Sequence, residues 1–554
     1  MGRNVPLDRC YPDAPDKLMK PNPRTVSRKL LTRDEFVPAT SLNMLAAAWI
    51  QFMQHGWFSH FEDHRHRPEG YKFKKSGIQI PLEDGDRWPA ADPAPEEGAF
   101  ETGPPADDFR PMRVVKTPPD HSRPPGTEDA APPSYVNVIS HWWDASQIYG
   151  SNELTQRCVR SHTDGKLRIG DDRTFHYNPN TNHPDIPVIG FIDNFWVGLG
   201  ILYKIFILKH NAVCDRLKQE YPDWDDEQLF QRARLIVAAL LAKIHTIEWT
   251  PGLLGTEVLD IAMKGNWFGL VNERRPFYRF LLVWGARLKR IFFTSKRDDM
   301  DEALHGILKT EPNHHAAPFS MTEEFNAMYR LHGLIRDEYE FRSTRTGEVI
   351  AEKILPDISG AFEREFMDGT DLADLAYTFG ILHPGALRLH NYPRYLQNLR
   401  RDNGDRLDLA TIDVLRDRER GIPRYNEFRE LIGMRRVKSF EELTDNPQWA
   451  EELREVYEDD LESVDLMVGM YAEPLLPGFA ISEVAFRIFI LMASRRLKSD
   501  RFFTTDYRPE VYTQVGLDWI DKSDFRTVIL RHMPELEPSV NKANAFAPWT
   551  PVGG

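Results

Sequence analysis

Apolar residues recur every three to four positions along most of this chain, with charged and polar residues between them. That is the period of helices burying one face. The stretch "SLNMLAAAWIQFMQHGWF" (41–58) predicts a buried helix with Ser41 as its N-cap. "LGILYKIFILKHNAVCDRLKQEY" (199–221) and "DEQLFQRARLIVAALLAKIHTIEW" (226–249) predict two long amphipathic helices. Similar patterns predict helices around 321–336, 371–382, 425–433, 447–462 and 480–498. No internal repeat, heptad array or sustained run of alternating strands interrupts them. Between about 80 and 135 the texture changes to "WPAADPAPEEGAFETGPPADDFRPM" and "TPPDHSRPPGTEDAAPPS", too rich in proline for helix or central strand. The expectation is a mainly α protein with little β. One large domain would span 1–554, with an N-terminal arm over about 1–40 and a proline-rich surface excursion over about 80–135.

Size and charge narrow this picture. The 554 residues suffice for one large core. A net charge of −14 and an isoelectric point near 5.8 disfavour a nucleic-acid partner, which a basic surface would serve. An anionic substrate would be repelled at long range, so a site for one needs its own arginine. The three cysteines, Cys10, Cys158 and Cys214, lie far apart without metal-ligand spacing. They imply a reducing compartment rather than a disulfide framework. The N-terminal "MGRNVPLDRCYPDAPD" lacks the apolar core of a signal peptide. The oiliest stretches, "FRIFILMA" (486–493) and "RFLLVWGARL" (279–288), fall short of the ~18 residues of a spanning helix. A soluble cytoplasmic protein without a transmembrane anchor is expected, touching membranes only to collect substrate.

Some polar residues sit where apolar ones belong. Gln51 and His55 share one face of an oily helix at i, i+4, an expensive placement unless they meet a ligand, a water or other polar groups. In "EEFNAMYRLHGLI" (323–335), Tyr329 and His332 stand three apart in an otherwise apolar helical pattern. That spacing places them about one turn apart on one face. One histidine ligating a metal and another facing its open side is the arrangement of haem proteins. Ser140, Asp144 and Ser146 in "VISHWWDASQIYG" offer oxygen donors spaced for Ca²⁺, or simply a capped turn. His64 and His66, in a charged surface segment, are weaker candidates for zinc. The "RDRERG" run reads mainly as a structural network, from which Arg416 or Arg418 could reach a haem propionate.

Longer motifs carry a family resemblance. "WIQFMQH", "WWDASQIYG", "LKHNAVCDRLK", "EEFNAMYRLHGLI" and "RDRERGIPRYNEFREL" occur in the order of the animal-type haem peroxidase and cyclooxygenase superfamily. Within it, "LLTRDEFVPATSLNMLAAAWIQFM", "PFSMTEEF", "VYEDDLESVDLMVGM" and "FAISEVAFRIFILMASRRL" resemble the fatty-acid α-dioxygenases, over residues 3 to 548 or so. The fold implied is the haem-dependent, cyclooxygenase-like peroxidase fold.

By that resemblance His332 is the proximal ligand of haem iron, His55 with Gln51 is the distal pair, and Tyr329 is the radical-forming tyrosine. Peroxidases of the superfamily carry arginine at the tyrosine's position. Ile192, Phe195 and Gln54 stand about where peroxidases carry the distal arginine and the two ester-forming acids, which implies haem b held without covalent links. His315, Ser320 and Arg496 match the positions that hold the substrate carboxylate near the tyrosine, Arg495 and Arg501 being close competitors. Asp413 falls near the residue that orients the proximal imidazole. The family's calcium loop matches Ser140, the Trp142 carbonyl, Asp144 and Ser146. Gly56 replaces its fifth ligand, an aspartate, which weakens that site. The implied reaction is attack of a tyrosyl radical on C2 of a long-chain fatty acid, then O₂ addition to give a 2-hydroperoxy acid, which can lose CO₂ to leave an aldehyde one carbon shorter. The competing readings are dioxygenation at another carbon, as in linoleate dioxygenases, H₂O₂-dependent peroxidation, and a non-catalytic haem-binding protein.

Overall fold

The computed structural model describes residues 1–61, 77–83, 86–88, 111–120, 122, 126, 130–180, 184–269, 305–314, 320–400 and 406–553. Within these residues helices dominate, as the periodicity predicts. The element nearest the site is α1 (Met44–Gln54), all of whose residues but Gln51 and Gln54 are buried. Its N-cap is Asn43 rather than Ser41. The Asn43 side chain accepts from Ala46 N and donates to the carbonyls of Ala545 and Ala547 at 2.7 and 2.9 Å. An asparagine fixed by the C-terminal segment outcompetes an exposed serine two residues earlier.

Two long helices follow, one of which packs on α1. α2 (Val197–Glu220) and α3 (Asp226–Ile244) pack on each other, and α2 also packs on α1. Asp225 and Gln228 form a capping box that starts α3. α2 is long and apolar enough to cross a membrane by length and composition, which corrects the expectation that no segment reaches that threshold. It is nevertheless mostly buried inside the protein, a central core helix. Trp49 of α1 anchors the junction among Phe52, Phe206, Phe525 and Phe546, with ring centroids 5.2–6.2 Å away.

The 321–336 region departs from its predicted helix. α4 covers only Glu323–Met328, Tyr329 is its C-cap, and a separate 3₁₀ turn spans His332–Leu334. The break follows Arg330, which turns inward to the Asp413 carbonyl and the Asp417 carboxylate. Such a long-range ion pair is invisible to local periodicity. Downstream come α5 (Leu372–Ile381), α6 (Leu409–Glu419) and α7 (Glu483–Ser499), and α7 packs on α4. The β content described is three antiparallel two-stranded ribbons: Gly77–Ile80 with Met112–Val115, Glu338–Arg342 with Val349–Ile354, and Leu399–Arg400 with Arg406–Leu407.

The N-terminal arm is clasped to the body. Gly2 N donates to the Met321 carbonyl at 2.6 Å, and Asn4 N to Glu324 at 2.8 Å. Arg418, 1 % exposed, grips Asp465 at 2.8 and 2.6 Å and donates to the carbonyls of Leu18 and Pro21. Arg416 is engaged by Glu419 and the Val115 carbonyl. Both arginines are therefore structural, not groups free to reach a haem propionate. Most of the proline-rich excursion, the apolar stretch 279–288, His64, His66 and His315 lie outside the described residues.

Candidate active site

The ends of α1 and α4 meet. Gln54 Nε2 donates to the Tyr329 carbonyl at 2.8 Å, so the residue after Gln54, His55, is held close to the break that carries Tyr329. His55 is 8 % exposed, and its Nδ1 has no hydrogen-bond partner among the described residues. Burial pushes its imidazole pKa down to about 3, so the ring is neutral at working pH. Phe191 packs on it at 4.4 Å between ring centroids. Phe195 instead points into the core, beside Phe175 and Tyr203. Gln51 accepts from Trp196 Nε1 at 2.7 Å and donates to the Asn194 carbonyl at 3.2 Å, pinning the segment before α2 above the site.

His332 donates from Nδ1 to Asp413 Oδ2 at 2.8 Å, and Tyr392 donates to the same oxygen at 2.8 Å. A carboxylate accepts, so Nδ1 carries a proton and Nε2 is the ring nitrogen left for a ligand. The His332 side chain is 34 % exposed, although Asp413 behind it is 5 % exposed. A partly exposed imidazole oriented through Nδ1 fits an axial iron ligand, with Asp413 as the partner such ligands need. The structure brings together the two residues that the family resemblance pairs on the proximal side.

Tyr329 is 3 % exposed, and its phenol oxygen has no partner among the described residues. Burial raises its pKa well above the ordinary tyrosine value, so the phenol stays protonated. Its ring lies 4.3 Å from Phe325, 5.9 Å from Trp57 and 6.2 Å from Phe489. Trp57 also carries Arg496, whose guanidinium carbon is 5.1 Å from the Trp57 ring and 5.2 Å from that of Trp143. Arg496 is 2 % exposed. Its Nη2 donates to the His141 carbonyl, while Nε and Nη1 have no partner among the described residues. Burial pushes its pKa down to about 9, with Tyr329, Asp500 and Asp144 acting in the opposite direction. A buried cation without a hydrogen-bonded acid is costly and points to an anion that arrives from outside. Arg501 is 68 % exposed and bound to Asp506, so the structure favours Arg496 over this competitor.

The Ser320 hydroxyl lies beside the N-terminal arm, 2.7 Å from where a Cβ on Gly2 would sit, and is not seen at the Arg496 wall. The next residue's amide, Met321 N, donates to His141 Nδ1 at 3.1 Å, and His141 is the residue that receives Arg496. His141 and the tryptophans 57 and 143 went unnoticed in the sequence. A histidine beside paired tryptophans in "HWW" was the available signal.

The side-chain oxygens of the 140–146 loop make contacts within the protein. Ser140 Oγ accepts from Trp142 N at 3.0 Å, and Asp144 Oδ1 from Ser146 N at 3.1 Å. Asp144 Oδ2 lies 3.8 Å from Arg234 Nη2, and Ser146 Oγ donates to the Gly56 carbonyl at 3.4 Å. A Cβ at Gly56 would lie 2.2 Å from Gln147 Oε1, so Gln147 fills the space a fifth ligand would need. Among the described residues no group of three or more His, Cys, Asp or Glu is placed to hold a metal ion.

The animal haem peroxidase family model matches residues 1–546. An α-dioxygenase of Oryza sativa subsp. japonica is 38 % identical over 99 % of this chain and 82 % of its own length. This chain belongs to the α-dioxygenases of the animal haem peroxidase family. An α-dioxygenase of Arabidopsis thaliana is likewise 38 % identical, over 99 % of this chain and 80 % of its own. A solved fatty acid α-dioxygenase of Oryza sativa, a single-site variant with palmitic acid, superposes with a TM-score of 0.81. It is 36 % identical and the match covers 97 % of this chain and 82 % of that one. Haem is thus the cofactor of the family to which this α-dioxygenase belongs, and His332 with Asp413 is the described pair suited to it.

Proposed function

We infer that this chain is a haem-dependent fatty-acid α-dioxygenase, with His332 binding haem iron, Tyr329 as the hydrogen-abstracting residue and Arg496 holding the substrate carboxylate. The observation that carries the assignment is the shared Trp57 wall: a buried, protonated phenol and a buried arginine with unpartnered N–H groups lie against the same indole. A carboxylate bound at Arg496 places the first carbons of the chain, C2 among them, nearest Tyr329. The palmitic acid of the Oryza sativa structure supports a long-chain acid as the substrate class.

His332 and Asp413 would hold the haem without a covalent link, since Gln54 is bound to the Tyr329 carbonyl and Phe195 lies in the core. When bound, the haem supplies the one-electron oxidant for the Tyr329 phenol. Because burial forbids phenolate, Tyr329 must give up electron and proton together. Neutral His55, with one ring nitrogen unpartnered, is the group that holds or moves a proton on that side. The tyrosyl radical takes a hydrogen atom from C2, O₂ adds to the carbon radical, and the peroxyl radical recovers hydrogen from Tyr329 to give the 2-hydroperoxy acid. Loss of CO₂ and water then leaves an aldehyde shorter by one carbon. The aromatic cage of Trp57, Phe325 and Phe489 keeps water from the radical.

The 140–146 loop is proposed to be held by Arg234 and Gln147 rather than by calcium. Treatment with a calcium chelator leaves the melting temperature unchanged, and a clear fall would contradict this reading. The three cysteines are free, which supports a reducing, cytoplasmic setting. The radical assignment is tested by rapid-freeze electron paramagnetic resonance of the haem-loaded protein after peroxide. A tyrosyl signal is expected, lost in Tyr329→Phe with an unchanged Soret band. A signal that survives the substitution would move the radical to another residue.

A further inference from the structure

Among the described residues, several buried polar atoms without a partner lie on four residues packed around Trp57, and all of them can donate. Besides Tyr329 Oη and Arg496 Nε and Nη1, they are Trp143 Nε1 and His245 Nε2. The last two have no role in the reaction described above. His245 is 1 % exposed and opens the π-helical turn His245–Trp249 that continues α3. Its ring lies 5.1 Å from Trp57 and 5.4 Å from Trp143, the two indoles that flank Arg496. The Trp143 ring is itself 4.9 Å from Trp57.

The protonation of His245 is fixed by its neighbours. Trp49 Nε1, which can only donate, gives its hydrogen to His245 Nδ1 at 3.2 Å. Burial holds the ring neutral, with a pKa near 3. The single ring proton therefore resides on Nε2. Trp249 stacks on the imidazole at 4.6 Å and 15°, which keeps that N–H from swinging away. A buried, oriented donor without an acceptor is destabilising, and its retention points to an acceptor delivered by a ligand.

We propose that His245 Nε2–H, with Trp143 Nε1–H beside it, donates to the carboxylate that Arg496 attracts. The proposal rests on the assignment of Arg496 to the substrate carboxylate. A carboxylate has about four acceptor sites on two oxygens, more than the unpartnered edges of one guanidinium serve at once. Neutral donors supply the remainder without a second positive charge, which would favour ionisation of the adjacent Tyr329 phenol. The headgroup would thus be fixed from the π-helical turn as well as from α7, limiting which carbon reaches Tyr329.

The test is equilibrium binding of hexadecanoate and, separately, of hexadecanol to the haem-loaded Tyr329→Phe protein, in which the reaction does not proceed. Adding His245→Phe, which keeps an aromatic ring but removes the donor, is expected to weaken hexadecanoate about tenfold or more while leaving hexadecanol unchanged. His245→Gln can accept from Trp49 and still donate, and should restore most of the acid affinity. Hexadecanoate affinity unchanged in His245→Phe, or acid and alcohol weakened alike, overturns the proposal. Arg496→Leu in the same assay separates the two levels. If it loses the acid while His245→Phe does not, only the His245 inference falls. If it too binds hexadecanoate as before, the carboxylate lies elsewhere and both readings fall. Should His245→Phe not fold, Trp143→Phe removes only the indole N–H: an acid-selective loss supports the pair, and unchanged affinity overturns it.

Discussion

Two residues show how much the environment, rather than residue type, sets the chemistry. Asp413 is buried and receives hydrogen bonds from both His332 and Tyr392, so its charge is directed at the imidazole. Asp413→Asn keeps the size and an acceptor but removes that charge. It should lower haem affinity about 10- to 100-fold, read as faster transfer of haem to an acceptor protein. Arg496 gives a pH dependence with a definite sign. Its pKa is pushed down to about 9 by burial, so the free protein carries the guanidinium charge below that pH and loses it above. A bound carboxylate favours the charged form. The dissociation constant for a long-chain acid should therefore be flat from pH 7 to about 9, then rise by up to about tenfold per pH unit. A long-chain alcohol should show no such rise, and a rise for the acid that persists in Arg496→Leu would mean that Arg496 does not carry the headgroup.

At the scale of elements, the helix starts and stops decide where these residues point. Asn43 begins α1 and ties it to the C-terminal segment through two carbonyls, whereas Ser41 is exposed. Asn43→Ala should destabilise the protein by about 1–2 kcal/mol, and Ser41→Ala by much less, as measured by denaturant unfolding. The long helices α1, α2 and α3 were legible because their apolar stripes repeat over many turns. Gln51, His55, Tyr329, His332 and Arg496, the residues proposed for the site, stood out in the sequence because they were polar residues in apolar runs or matched family motifs. The expectation of one helix through 321–336 failed because the Arg330–Asp417 pair, 87 residues apart, ends α4 at Met328. Ser41 was preferred over Asn43 because only the folded chain brings Ala545 and Ala547 to the asparagine. His245 was hidden in plain sequence: within "LLAKIHTIEW" it reads as a helix residue, and its orphaned N–H exists only once Trp49 has taken Nδ1.

At the scale of the molecule, the site is assembled from segments that lie hundreds of residues apart: the end of α1, the 140–146 loop, the π-helical turn after α3, the break after α4, α6 and α7. Tyr329 and Arg496 share the Trp57 wall, while His55 packs on Phe191 and His332 is backed by Asp413. The N-terminal arm braces it, since Gly2 pairs with the strand-like residues 321–322 immediately before α4. The central claim is that this arrangement directs a Tyr329 radical to C2 of a carboxylate-anchored chain. The most direct measurement is oxygen uptake by the haem-loaded protein given hexadecanoate, with products identified by mass spectrometry. A saturated acid offers no bis-allylic hydrogen, so attack at another carbon is not helped by the substrate. The account predicts oxygen consumption with formation of 2-hydroperoxyhexadecanoate and pentadecanal, both abolished in Tyr329→Phe. No uptake with hexadecanoate, but uptake with linoleate, would contradict it and move the chemistry to a different carbon.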